Sequence, residues 1–221
     1  MQKFETPAPI AAVLDIPAGR VRFIAADRAD TTVEVRPANA ASGRDVKAAQ
    51  QTTAGYGDGV LRISAPAGHR ILGSSGSVEV TVQLPAGSRV EAKAAAVEFR
   101  AVGRLGDVTL DSPRATVKID EAATARLSTL DGDVSVGRLG GSAEIRIARG
   151  DIRIAEAVRG TVALRTEAGS ISVDAAAGVS ASLDAGTAQG RIRNGLRNAA
   201  GTADLAIHAT TARGDITARS L

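Results

Sequence analysis

The chain has 221 residues, 44% of them hydrophobic, enough to build a core for one domain or two small ones. Aromatics are only 2%, with Phe4, Phe23, Phe99 and Tyr56 as the full set, so Val, Ile, Leu and Ala must fill a thin, layered core. Cysteine is absent, which excludes disulfides and thiolate metal sites, and 27 basic against 24 acidic residues leave a net charge of +3, too even to suggest a phosphate-backbone binder.

At the N-terminus, Lys3 is followed by Glu5, three prolines and Asp15, with no apolar stretch of the length a signal peptide needs. No window approaches a membrane span. These features lead us to expect a cytoplasmic protein, unless a non-standard export route serves it.

An opening strand is expected over Phe4–Ile16, closed by a turn at Pro17-Ala18-Gly19. RVRFIAA (Arg20–Ala26) and TTVEVR (Thr31–Arg36) alternate with period two and are linked by Asp27–Asp30. Pro37–Arg44 reads as a loop, and Asp45–Gln50 as one or two helical turns with Ser42 or Asp45 near the cap. Gln51–Tyr56 and Val60–Ser64 flank Gly57-Asp58-Gly59, a strong hairpin signal. Pro66–Gly76 is a loop, and Ser77–Leu84 (SVEVTVQL) is the clearest strand, ending at Pro85-Ala86-Gly87. That second Pro-Ala-Gly suggests a turn geometry shared with the first.

From Gly87 short strands recur every 8–12 residues. We expect them at Ser88–Ala94, Val97–Val102, Asp107–Asp111, Ala115–Asp120, Ala125–Thr129, Asp133–Val136 and Glu144–Ala148. The series continues with Asp151–Ala155, Val162–Arg165, Ser170–Asp174, Ser180–Asp184, Arg191–Arg193, Asp204–Ala209 and Asp215–Ala218, with loops at Ala185–Gln189 and Gly195–Gly201. Within this region Gly-Asp/Ser-Val/Ile-x-apolar returns at Gly132, Gly150 and Gly169. A two-strand unit repeating at such a period is the mark of a solenoid.

Aligning the Gly-led strands gives an apolar column, Val108, Val134, Ile152, Ile171, Ile192 and Ile216. Two residues on stands a second column, Leu110, Val136, Ile154, Val173, Asn194 and Ala218, with polar residues such as Arg153 and Ser172 between the two. The phase is constant, so each coil buries the same face. We therefore expect an all-β protein: a right-handed parallel β-helix, or β-solenoid, over residues 86–221, capped by an irregular β region over 1–85. The rival architecture is a two-sheet β-sandwich, which the Asp-Gly at Asp131-Gly132 would favour.

The cadence GDV-x-V, GDI-x-I, GSI-x-V, with YGDGVLRI (Tyr56–Ile63), SVEVTVQLPAG and the terminal RGDITARSL, resembles the bacterial putative-adhesin, β-strand-repeat family of unknown function. The likeness covers most of the chain and has an actinobacterial look. It implies the repeat architecture and an adhesin-like role, and brings no catalytic residues with it.

Asp107, Asp133, Asp151 and Asp215 share a place beside Gly. A calcium ladder would need six to eight oxygen ligands, whereas a turn Asp needs only local backbone N–H donors. Ser170 and Arg191 interrupt the series, which favours the turn role. Asp131 and Arg149 precede successive Gly residues and are candidates for a stacked charge pair. His69 and His208 are the only histidines, and neither belongs to a catalytic or metal-binding motif. Gly73–Ser77 (GSSGS) lacks the Lys and helix of a phosphate cradle. Arg126, Arg146, Arg153, Arg165 and Arg193 point outward among Glu144, Glu156, Glu167 and Asp174, which reads as a mixed solvated face. Asn194 replaces an apolar residue where the coil loosens, in a position to cap a turn.

No catalytic, cofactor-binding or metal residue is therefore assigned, and no cofactor is expected. The reading is a non-enzymatic structural or interaction scaffold. A self-associating filament subunit is the alternative, and a polysaccharide-acting β-helix enzyme comes last, for want of aromatic platforms and clustered acids. The partner is either an unknown protein or a second copy, met through the C-terminal edge at Asp215–Arg219, with no nucleic acid and no membrane span.

Overall fold

The computed structural model describes residues 1–65, 76–198 and 202–221. The chain starts with β1 (Gln2–Glu5), which is antiparallel to β3 (Asp30–Pro37). Between them runs β2 (Ala11–Ala26), so the expected opening strand is broken after Glu5. Pro7 and Pro9 cause the break, because proline lacks the N–H a ladder needs. Ser88 Oγ accepts the Ile10 N–H at 3.0 Å beyond the break.

Helix α1 (Gly43–Gln51) follows, with Ser42 as its N-cap; Ser42 Oγ accepts from Asp45 N–H at 3.4 Å. β4 (Thr53–Gly57) and β5 (Val60–Ser64) form the expected hairpin. Asp58 and Gly59 have φ of 51° and 75°, the left-handed pair a two-residue turn demands. In β6 (Val78–Pro85), Val78, Val80, Val82 and Leu84 are all buried.

Pro17-Ala18-Gly19 is not a turn. It lies inside β2 as a corner, with Ala18 opposite Ala96 and Gly19 opposite Val97. Gly19 has φ 153° and Gly87 φ 81°, so the two Pro-Ala-Gly segments differ in geometry. At the second, Ser88 Oγ donates to Pro85 O at 2.6 Å.

Five of the expected strands merge into β7 (Arg89–Asp131), an unbroken extended run of 43 residues. At about 3.3 Å per residue it is too long to lie straight, and it winds. Its first part lies along β2, Val117–Ala122 along β8 (Val134–Leu139), and Ala125–Asp131 along β9 (Ala143–Arg149). The remaining strands are β10 (Ile152–Ala157), β11 (Gly160–Ala168), β12 (Ile171–Ala175), β13 (Ala181–Gln189), β14 (Ile192–Gly195), β15 (Leu205–Arg213) and β16 (Ile216–Ser220).

Each coil gives one strand to each of two parallel ladders. One ladder carries Val117, Val134, Ile152, Ile171, Ile216 and Ile192 side by side. The other carries Ala125, Ala143, Val162, Ile207 and Leu183. The protein is thus an all-β solenoid. Asp131-Gly132, the signal that favoured a sandwich, is a corner between parallel strands.

Two details of the expected columns change. Val117 and Ile119, not Val108 and Leu110, stand opposite Val134 and Val136. The glycine-led start at Gly106 belongs to the other side of the coil, and Val108 lines a groove there with Ala125 and Ala143. The second change is larger. β16 pairs with β12 on one side and β14 on the other, and β15 likewise lies between β11 and β13. The last coil of the chain is therefore inside the stack, and the coil before it, β13–β14, stands at the end. The C-terminal strand is not the open edge.

Composition accounts for this order. Leu205, Ile207, Ala209, Ile216 and Ala218 are all buried, whereas β14 (IRNG) is exposed throughout. A coil with apolar faces is stabilised by neighbours on both sides, and a polar one is better placed at the end. The same logic corrects Ala185–Gln189, expected as a loop. It forms the second half of β13, opposite Ala209–Arg213, and lacks the apolar alternation because an end strand buries little.

One apolar core runs from Ile10 to Ile216. Its thick end is the Phe23–Phe99 pair, ring centres 5.6 Å apart. From there on Val, Ile, Leu and Ala suffice.

Candidate functional site

The Gly-Asp corners are the most chemically regular part of the surface. Asp133 Oδ1 accepts the Asp151 N–H at 2.8 Å, and Asp151 Oδ1 accepts the Ser170 N–H at 2.7 Å. Ser170 Oγ accepts the Asp215 N–H at 3.4 Å, and Asp215 Oδ1 accepts the Arg191 N–H at 2.9 Å. Each corner side chain thus caps the backbone of the next coil in space. The donors are in neighbouring coils, not in the residue's own turn. The two interruptions also have a reason: Ser170 keeps an acceptor oxygen, and Arg191 is in the end coil, with no corner beyond it to cap. Asp107 is not part of this ladder and accepts from Thr124 Oγ1 at 2.7 Å.

The glycines serve close approach. Gly132, Gly150, Gly169 and Gly214 have φ of 122°, 141°, 154° and 145°. A Cβ on any of them would overlap a backbone carbonyl oxygen of the adjacent coil, that of Ala115, Gly132, Gly150 and Gly169 respectively. Threonine hydroxyls reach three of the glycine carbonyls at these corners. Thr166 Oγ1 donates to Gly150 O at 3.1 Å, Thr211 Oγ1 to Gly169 O at 3.0 Å, and Thr187 Oγ1 to Gly214 O at 3.0 Å. Sequence reasoning missed this threonine ladder. Its signal was present as Thr-x-x-Gly at Thr166, Thr187 and Thr211; Thr129 shares the pattern but donates to Asp131 O at 3.2 Å.

The charged side chains are dispersed. Arg126, Arg146 and Arg165 lie on the ladder of β7, β9 and β11, while Arg153 and Arg193 lie on the other. Arg126 Nε is 3.4 Å from Glu144, which Arg146 also contacts, and Arg138 pairs with Glu156. Asp131 and Arg149 stand opposite in register. The open groove of about 620 Å³ beside these strands is lined by Arg89, Glu91, Arg126 and Glu144 with small side chains between, a mixed and shallow surface.

Asp174 is the buried exception. Its side chain is 4% exposed and receives a two-pronged bond from Arg219, Nε to Oδ1 and Nη2 to Oδ2, both at 2.8 Å. The carboxylate pushes the Arg219 pKa further up. Arg219, part of the C-terminal edge expected to meet a partner, is thus tied to its register partner Asp174 on β12. Asn194 Oδ1 accepts the Leu196 N–H at 3.0 Å and so caps the turn after β14.

His208 lies in mid-strand, not at a strand end, with Nδ1 3.3 Å from Asp184 Oδ2. His69 and most of Gly73–Ser77 lie outside the described residues. Of the latter, Ser77 donates its N–H to Asp45 Oδ1 at 3.0 Å. Among the described residues no three His, Asp or Glu side chains converge. No described helix is long and apolar enough to cross a membrane.

A stack of parallel coils, with corner carboxylates and hydroxyls used to tie one coil to the next, defines a β-solenoid repeat protein. The chain belongs to the Toastrack DUF4097 family, whose model matches residues 13–220. Its fold is similar to that of a putative adhesin from Bacteroides fragilis NCTC 9343, with 12% identity, a TM-score of 0.56, and 98% of this chain and 95% of that one covered. A putative adhesin from Parabacteroides distasonis ATCC 8503 is similar at 14% identity and TM-score 0.51, over 98% and 95% of the two chains. At these identities the likeness is one of fold. No curated protein matches the sequence.

Proposed function

We propose that this protein is a non-enzymatic, adhesin-like interaction scaffold. The observation that carries the reading is the commitment of the corner side chains: Asp133, Asp151, Ser170 and Asp215 each accept a backbone N–H from a neighbouring coil. Groups so engaged hold a shape; they are poorly placed to act as acid, base or nucleophile. The solved relatives carry adhesin names, which supports a binding role. A polysaccharide-acting enzyme is the weaker reading, because the 620 Å³ groove offers mixed charge and no aromatic platform.

On this reading, residues 1–85 cover one end of the stack. Supporting this, β3 and β6 are antiparallel, as are β4 and β5, while β2 joins β7 in parallel. The winding is right-handed by the crossover rule. The preference for Arg over Lys supports an actinobacterial source.

The test is direct. Fluorescently labelled protein should bind cells of its host saturably, and incubation with neutral and acidic polysaccharides should leave their length distribution unchanged. Turnover of any of them would overturn the scaffold reading, and so would a complete lack of saturable binding. Fractionation of the same host separates a surface location, which such binding requires, from the cytoplasmic location expected from the sequence.

A further inference from the structure

We propose that the protein forms a closed, two-fold dimer by antiparallel pairing of β13 with β13 of a second copy. This deepens the scaffold reading by naming one of its partners. In a parallel ladder alternate residues turn their N–H and C=O toward one neighbour. Leu205 N–H donates to Ser180 O, so the even-numbered residues of β13 serve β15. Leu183, Ala185 and Thr187 therefore present their backbone groups to the open side.

Beyond Ala181, whose N–H already donates to Arg197 O at 3.1 Å, the edge carries none of the usual guards among the described residues. β13 has nine residues, no proline, no lysine and no arginine. Its one charge, Asp184, faces His208. The other edges differ. β14 has four residues, with Arg191, Arg193 and Arg197 in or beside it. At the far end β1 has four residues including Lys3 and Glu5, and β4 has five. The apolar interior is also unfinished at the β13–β14 end. Ile192 is 45% exposed, whereas its column neighbours Ile216 and Ile171 are each 1% exposed.

The edge is complementary to itself. With the two-fold axis at Ala185, Leu183 of each copy meets Thr187 of the other, and Asp184 meets Gly186. No like charges face each other, and the pairing makes about six new backbone hydrogen bonds. A head-to-tail filament would instead need the short strands of the far end to receive β13. An isologous contact closes after two copies, so the structure favours a dimer over a polymer.

Sedimentation velocity of the full chain over a hundredfold concentration range should show one monomer–dimer equilibrium. Ala185→Pro removes a central outward donor at an edge, where proline is tolerated. It should weaken the dimer at least about tenfold and leave the melting temperature of the dilute protein unchanged. Amide exchange of the unaltered protein is the second measurement, needed should Ala185→Pro fail to fold. Leu183, Ala185 and Thr187 should gain protection as concentration rises. A strictly monomeric protein, growth beyond the dimer, or exchange at these amides indifferent to concentration would each overturn the proposal. None of those results bears on binding to host cells, which tests the scaffold reading separately.

Discussion

Ile192 stands opposite Ile216 in register, on the far side of Ile216 from Ile171. The coil that precedes the C-terminus in sequence thus lies outside it in space. Register has a consequence for Thr217, which sits between Ser172 and Arg193. Its backbone groups serve interior ladders, so Thr217 is not an edge position.

The first prediction uses this order. Ile216→Ala should cost about 2–5 kcal/mol, the usual range for a truncated core isoleucine. Ile192→Ala should cost less than about 1 kcal/mol, since Ile192 is 45% exposed. Urea unfolding of both variants checks it. The reverse ranking, with Ile192→Ala the costlier, would mean that the coils stack in chain order, and equal midpoint shifts would refute the order seen here.

Phase within a strand can be tested at Ile152 and Arg153. Ile152 is 1% exposed and lies between Val134 and Ile171. Ile152→Asp places an unpaired carboxylate between coils and should cost more than about 3 kcal/mol. Arg153→Asp, on the solvent side of the same strand, should cost about 0.5 kcal/mol. Thermal melts that shift alike would refute the face assignment.

Close approach at the corners predicts a penalty for the smallest possible side chain. Gly169→Ala should destabilise by about 2–4 kcal/mol through strain and overlap with the Gly150 carbonyl. Gly186 is the internal control: a Cβ there meets nothing within 4 Å, so Gly186→Ala should be neutral or slightly stabilising. Chemical denaturation of the pair measures the difference.

Asp30 sets a pH signature. Its carboxyl is lowered from 3.8 to about 2, first by the Arg28 guanidinium and then by Lys3, at 2.8 and 3.2 Å. A group with a depressed folded-state pKa contributes stability above its unfolded value. That contribution is complete above about pH 5 and is lost as pH falls through 3.8 toward 2. Asp30→Asn should therefore melt lower than the parent near neutrality, and the gap should close between pH 4 and pH 2. A gap that is constant with pH would remove Arg28 and Lys3 as the cause.

Much of this fold can be read along the chain. Alternation in SVEVTVQL and GDIRIA places Val80, Val82, Ile152 and Ile154 inside, and the structure buries all four. Asp58-Gly59 announces its hairpin, and Ser42 its helix. The corner Asp residues were legible as structural acceptors, but not the destination of their bonds. Hydrogen-bond capacity is a property of the residue, whereas the partner is a property of the stack. The threonine ladder was equally present, as Thr-x-x-Gly, and is recognisable only once each Gly carbonyl is known to face the next coil.

The sequence alone determined the repeating unit: the strand faces, the thin aliphatic core and the glycine-led corners. These rest on local periodicity, since a period of two sends alternate side chains to opposite faces whatever the neighbours are. Only the tertiary structure decided the order of the coils, the continuity of β7 through its corners, and the identity of the open edge. Coils of matching width compete for the same neighbours, and the winner is the arrangement that buries the most apolar surface. Leu205–Ser220 has two apolar faces and Ala181–Gly195 scarcely one, so the end of the chain came to lie inside.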